Sequence, residues 1–392
     1  MKNQAQKTVQ PQKKSNWTQW FMVGCMVLIG LVCGILIMSH MEKVADTGAP
    51  GWQLMVRLLL LFVGMYAGLL VQIVVHELGH LVFGLLTGYG FSSFRIGSLI
   101  LIKKPDGLKL RRVSLAGTGG QCLMAPPEMK DGKMPYVLYN LGGVLMNLFF
   151  SALLFGVSLL IASQSAWRTL FQMFAAIGVI LAIPNGLPLN GDVANDGMNA
   201  VSLGKNPEAL TAFRTQLLIN EQVVQGKRLS DMPEEWFAMP SEEGMKNVLV
   251  VAIAVFRANR IMDEHRFEDA KAYIRQLLND PGVNLEGIYR KLLNCDLIYC
   301  ELVDDDPDDA LPLMDKEMRA FCKSMKTSPT ILRTEYVLAL LGEKDAQKVQ
   351  KLLEIFRKRA KRYPYEGEIQ AELELIGIAE SLVHKDEKVV DI

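Results

Sequence analysis

From Trp20 to Met38 the chain runs 19 residues without a charged side chain, and three more apolar stretches follow before Pro184. A helix of that length crosses roughly 30 Å of hydrocarbon, so the first half of the chain is predicted to lie in a membrane. The second stretch, Leu58–Val75, has 18 residues and continues through a polar interruption into Leu81–Leu86. The third runs from Val137 to Ala162; the fourth, Leu170–Ile183, ends at Pro184 with Trp167 at its other interface. Four spans are expected. The first, with Lys2, Lys7, Lys13 and Lys14 before it and no small-x-small cleavage site after it, is read as a retained anchor.

The formal net charge is zero, with 42 basic and 42 acidic residues, but the balance hides two halves. Through Lys205 there are 16 basic and 8 acidic residues, and from Asn206 onward 26 basic and 34 acidic. This balance excludes a simple polybasic nucleic-acid binder. Among the spans, the lysine-bearing tail and the Thr87–Tyr136 loop, with eight basic against three acidic residues, suit the cytosolic side. The Glu42–Ala49 loop, with one lysine and two acids, suits the outside, and the fourth span then delivers the acidic half to the cytosol. The expected location is a bacterial plasma membrane, multi-pass, with both termini cytosolic. The six cysteines form no CxxC and are read as free thiols.

Within the Thr87–Tyr136 loop, Phe94–Ile102 and Leu108–Leu115 read as two short strands joined at Lys103-Lys104-Pro105-Asp106-Gly107, where Asp-Gly signals a hairpin. Gly117, Gly119 and Gly120 read as a flexible stretch after it. The hairpin is either an ordinary cytosolic element or an edge that pairs with an extended peptide.

At the inner end of the second span stands His76-Glu77-Leu78-Gly79-His80. On a helix, residues four apart lie one above the other, so both imidazoles reach one metal ion, and HExxH is a zinc-protease signature. Glu77 is placed to bond the metal's water and accept its proton as the water attacks a carbonyl. Three ionisable residues beside an apolar run are costly unless they line a polar cavity. A catalytic zinc takes a third protein ligand, and the end of the fourth span offers two carboxylates, Asp192 and Asp196.

HExxH in one span, with Asn185-x-x-Pro188 and the Asp196-Gly197 pair at the end of another, resembles the site-2 protease family of intramembrane zinc metalloproteases, peptidase family M50. The resemblance covers roughly residues 54–197. It implies a three-span core matching the second to fourth spans, an added N-terminal span, and a membrane-associated hairpin at about 91–116 that guides substrate. It also implies Asp196 as the third zinc ligand beside His76 and His80, with Glu77 as general base. Asn185 is implied to contact substrate, and Asn147, after Gly142-Gly143, is either a buried hydrogen-bonding residue or a second substrate contact.

Beyond Asn206 amphipathic helices dominate, opening at the Asn206-Pro207-Glu208 cap and running through Met245–Asn259, Phe267–Leu278, Leu285–Glu301, Asp308–Met325, Pro329–Leu341, Asp345–Arg362 and Gly367–His384. Phe267-Glu-Asp-Ala-Lys-Ala-Tyr273 is similar to the second helix of a tetratricopeptide unit. The predicted organisation is a tail, span and external loop (1–52), a metalloprotease core (53–200), and an α-helical cytosolic domain (201–392) that docks partners or stabilises the core. The predicted function is a zinc endopeptidase acting on single-span or membrane-tethered proteins or peptides near the cytosolic side. The alternative is a metal-binding membrane scaffold without proteolysis, working through the helical domain.

Overall fold

Four helices long and apolar enough to cross a membrane lie where the sequence places them: α1 (Trp17–Ala45), α2 (Gly51–Leu86), α3 (Val137–Leu159) and α4 (Ala166–Gly186). The structure is a computed structural model and describes residues 17–113, 119–189, 194–285, 287–304 and 307–390. At 36 residues, α2 is roughly 54 Å long, well beyond one hydrocarbon thickness, so HExxH sits inside a continuous helix rather than at its end. α3 packs between α2 and α4, while α1 lies against α4 and α2. Lipid drives no hydrophobic collapse between such helices, so small residues set how closely they approach. Where α2 crosses α3, a Cβ on Gly79 would collide with the Gly142 carbonyl, and one on Gly142 with the Gly79 carbonyl. The two backbones therefore meet directly beneath the HExxH histidines.

The α2–α3 connection differs from the two-strand expectation. It is a four-stranded antiparallel sheet of β1 (Gly90–Ile96), β2 (Leu99–Lys104), β3 (Gly107–Arg112) and β4 (Gly120–Ala125), in the order β3-β2-β1-β4. The Asp-Gly turn is present between β2 and β3, but Phe94–Ile102 is broken at Gly97, whose φ of +56° turns the chain. Gly120, read as part of a flexible stretch, begins a strand instead, because Ile96, Arg95 and Phe94 offer it, Gln121 and Cys122 a paired edge. Gly117 and Leu115 lie outside the described residues.

Past α4 the short helix α5 (Asp196–Ser202) leads to α6 (Pro207–Gln225), whose N-cap Asn206 accepts bonds from the Glu208 and Ala209 amides as its sequence suggests. α7 (Val248–Asp263), α8 (Phe267–Asn279), α9 (Gly287–Val303), α10 (Pro307–Leu313), α11 (Lys316–Ser324), α12 (Pro329–Val337), α13 (Ala346–Ala360) and α14 (Glu366–Val390) follow. The single run expected over Asp308–Met325 is two helices, because Asp315 caps a new start by accepting from the Met318 amide. Packing of these helices against one another builds a core around Tyr299, Ile331, Tyr336 and Phe356. The cysteines are free and buried. One face of β2, with Ile100 and Ile102, is buried against Val224 of α6 and Tyr365, so the sheet is clamped between bundle and helical half.

Candidate metal centre

His76 and His80 project from one face of α2, and Asp196 is brought to them by the first turn of α5. Two local devices hold Asp196 there. Asn195 caps α5 through Oδ1, which accepts from the Met198 amide at 2.9 Å, while its Nδ2 donates to the carbonyls of Pro184 (2.7 Å) and Leu187 (2.6 Å). The start of α5 is thereby pinned to the end of α4. Gly197 lies so close to the Gly186 carbonyl that a Cβ would overlap it. The glycine of Asp-Gly therefore permits the approach that delivers the carboxylate.

His76 Nε2 lies 3.1 Å from Asp196 Oδ2 and 3.2 Å from His80 Nε2, and His80 Nε2 lies 3.5 Å from the same carboxylate oxygen. The hydrogen bonds around the rings decide what those nitrogens offer. His80 Nδ1 is 2.8 Å from the Tyr139 carbonyl, a pure acceptor, so Nδ1 carries the proton. The same logic reaches His76 through a longer path. Gln72 Nε2 donates to the Phe174 carbonyl (2.8 Å), which leaves its Oε1 to accept from Asn147 Nδ2 (2.7 Å); that nitrogen also donates to the Gln72 carbonyl (2.9 Å). Asn147 Oδ1 therefore faces His76 Nδ1 at 2.8 Å and accepts its proton. Both Nε2 atoms are left with lone pairs directed at each other and at a carboxylate.

Three electron-pair donors facing one another call for a cation. With metal–ligand bonds of about 2.0–2.1 Å, the edges of a tetrahedron are about 3.3–3.4 Å. The observed separations of 3.1, 3.2 and 3.5 Å match three corners of such a tetrahedron. The three residues are the group of histidine and carboxylate ligands that the described residues offer a metal. The fourth corner opens into a cavity of about 630 Å3.

Glu77 lines that cavity, is 8 % exposed, and makes no hydrogen bond among the described residues. Its carboxylate touches Gly120 at the start of β4, where any larger residue would displace it. Next to it, burial and the nearby Glu77 carboxylate push the Cys122 thiol up to about 12, so it stands there as a neutral thiol. Asn185 also lines the cavity; its Nδ2 donates to the Leu181 carbonyl at 2.9 Å. Asn147, read above as either a buried hydrogen-bonding residue or a substrate contact, also lines the cavity; it is fully buried, and its amide is engaged by Gln72 and His76. Asp192, the competing carboxylate, lies outside the described residues.

The model of peptidase family M50 matches residues 64–363, well over half of the chain. The chain belongs to peptidase family M50. As an M50 protein it is a zinc metalloprotease, and the match runs to residue 363 in the helical half, well past the 54–197 segment that carries the motif resemblance. Comparison with curated proteins gave no match, and comparison with solved structures gave none.

Three contributors to the M50 centre have no motif in the sequence, Gln72, Tyr139 and Asn195, and the close-packing role of Gly79 is not marked by the motif that contains it. Gln72 stands one helical turn before His76, and that spacing, in an apolar run where an amide is costly, was its only signal. Tyr139 acts through its backbone carbonyl, which no side-chain pattern marks. The far wall of the cavity comes from the helical half, with Gln216 and Asn220 of α6 and Tyr289 of α9.

Proposed function

We propose that this M50 protease holds zinc on His76 Nε2, His80 Nε2 and Asp196, and hydrolyses peptide bonds of membrane-embedded or membrane-tethered substrates near the cytosolic side. The observation that carries the reading is the convergence of three ligand atoms at tetrahedral spacing, with Glu77 buried and unbonded in the same cavity of an apolar helix. Zinc bound there supplies a water of lowered pKa and polarises the substrate carbonyl. Glu77 takes the proton of the attacking water and returns it to the leaving nitrogen, so the carboxylate ends each cycle as it began.

A substrate helix hides its carbonyls in intrahelical bonds, so the cleaved segment must first be extended. Among the described residues β4 pairs on one side only, with β1, and Gly119–Leu123 line the cavity beside Glu77. The edge assigned to an extended substrate is therefore β4, in place of the β2–β3 hairpin favoured by the sequence. Asn185 retains an N–H and its Oδ1 for the substrate backbone. Asn147 positions His76 instead of touching substrate. We place the tail and α1 (1–52), the protease core (53–200) and the helical domain (201–392) as three units, with the third on the cytosolic side and walling the cleft.

The test compares membrane and released-peptide proteomes from cells carrying the intact chain or Glu77→Gln at equal levels. A short set of single-span proteins that accumulates only with the variant supports intramembrane proteolysis and names the substrate. Identical profiles with metal bound in both would return the reading to a non-proteolytic scaffold.

A further inference from the structure

A cavity of about 310 Å3 opens between the β2–β3 side of the sheet and the ends of α11 and α13, remote from HExxH. Three guanidinium-bearing residues line it: Arg112 at the end of β3, and Arg359 and Arg362 at and just beyond the last turn of α13. Among the described residues no aspartate or glutamate lines it. Five other arginines of the helical half, Arg228, Arg260, Arg266, Arg275 and Arg333, are matched with carboxylates, while Arg214, Arg257 and Arg290 bond backbone carbonyls. Arg228 bonds Asp263 and Glu374, Arg333 bonds Asp296 and Glu372, and Arg260 bonds Glu264. The side chains of Arg112, Arg359 and Arg362 make no ion pair or hydrogen bond among the described residues. A cation at the C-terminus of α13 answers the helix dipole, but that accounts for α13 alone. It gives no reason for a third guanidinium to arrive from the sheet in a region with acids to spare.

The remaining polar groups suit the same kind of ligand. Ser98, Thr327 and Ser328 line the cavity with hydroxyls that make no hydrogen bond among the described residues. Ser328 occupies the N-cap position of α12 without using its side chain to cap the helix. Guanidinium forks and hydroxyls together are donors without acceptors of their own charge, the complement of a tetrahedral oxyanion. An adjoining cavity of about 540 Å3 shares Arg359 and Arg362 and adds Lys326 and Lys358, with Glu335 as the one acid among the described residues that line it.

We propose that this cavity binds a phosphate group, carried either by an anionic lipid at the membrane surface or by a soluble phosphate compound. The position gives such binding a direct route to the protease centre. The Val113 amide donates to the Ser98 carbonyl (2.9 Å), and the Gly97 amide donates to the Gly119 carbonyl (2.8 Å). Arg95 ties the Gly97 carbonyl (2.8 Å) to that of Gly120 (3.2 Å), and Gly120 rests on Glu77. An anion held by Arg112 and Ser98 therefore braces the turn from which the β4 edge is hung.

The test uses the full chain in detergent and needs no protease activity. Binding of inorganic phosphate is followed by 31P line broadening, and native mass spectrometry counts retained phosphatidylglycerol against phosphatidylcholine. Each is measured for the intact chain, for Arg359→Ala with Arg362→Ala, and separately for Arg112→Gln on the sheet side. Expected is at least a tenfold loss of binding in both variants at unchanged melting temperature. Loss in the phosphate arm identifies a soluble ligand, and loss confined to phosphatidylglycerol identifies a lipid headgroup. No binding in either arm, or binding that both variants retain, overturns the proposal. If one variant fails to fold, the other decides.

Discussion

In the membrane bundle the polar side chains form a line with a free end: the Phe174 carbonyl, Gln72, Asn147, His76, and then the point shared with His80 and Asp196. In the helical half the buried charges close on themselves instead. Arg333, 1 % exposed, donates to Glu372 and Asp296 and to the Cys295 carbonyl, and stacks over Tyr299. Each of these two chains of side chains pairs its buried polar groups from member to member, as low-dielectric surroundings demand. The closed network uses up its valences and specifies packing. The open line leaves three lone pairs unspent, and that surplus is what a metal ion answers. Polar burial thus marks a site only where the hydrogen-bond inventory fails to close.

The largest effects break the open line at its end. Asp196→Ala should lose metal and cleavage together, measured by metal content of purified protein and release of a substrate fragment. Glu77→Gln should lower cleavage by roughly 10²–10⁴-fold and keep the metal, since the proposed role of Glu77 is that of a base and not a ligand. Loss of metal from that variant would make Glu77 a ligand and overturn its assignment.

Breaking the closed network should leave the metal alone. Arg333→Ala strands Asp296 and Glu372 and should destabilise the helical half by about 3–5 kcal/mol, read in denaturant melts, with metal affinity unchanged. A milder probe of the same region is pH. Burial and the neighbouring Glu372 carboxylate push Glu368 up to about 7, against the hydrogen bond from the Tyr363 hydroxyl (2.8 Å). Its proton is held more tightly in the folded chain, so its contribution to stability is full below about pH 4.5. That contribution falls as pH rises and is gone above about 7, a change of roughly 3 kcal/mol at most. Glu368→Gln should flatten that part of the stability–pH curve in the helical half.

The smallest effect sharpens the comparison. Gln72→Leu removes the group that orients Asn147 and should weaken metal binding by about 10–100-fold, measured by chelator competition. It should also shift the visible spectrum of the cobalt-substituted protein, and Gln72→Glu should restore part of the loss. A purely packing role for Gln72 would leave that spectrum unmoved.

Much of the molecule was legible in one dimension because its signals are local. Nineteen uncharged residues make a span whatever surrounds them, His76 and His80 share a helix face because they are four apart, and Asn206-Pro207 starts a helix by itself. The sheet was half legible. The Asp-Gly turn announced β2 and β3, while β4 forms where β1 offers it an edge across a segment rich in glycine.

What only the tertiary structure decided are contacts between segments far apart in the chain, whose existence depends on how closely backbones approach. Gly79 against Gly142 sets the α2–α3 crossing, and that crossing brings Asn147 Oδ1 within 2.8 Å of His76 Nδ1. Asn195 pins α5 to α4 and so brings Asp196 within 3.1 Å of a histidine 120 residues earlier. The sequence determined which side chains were available to hold a metal and on which helix they stood. The helix crossings determined which of their lone pairs met, because hydrogen bonds are satisfied over ångströms of space that residue spacing does not encode.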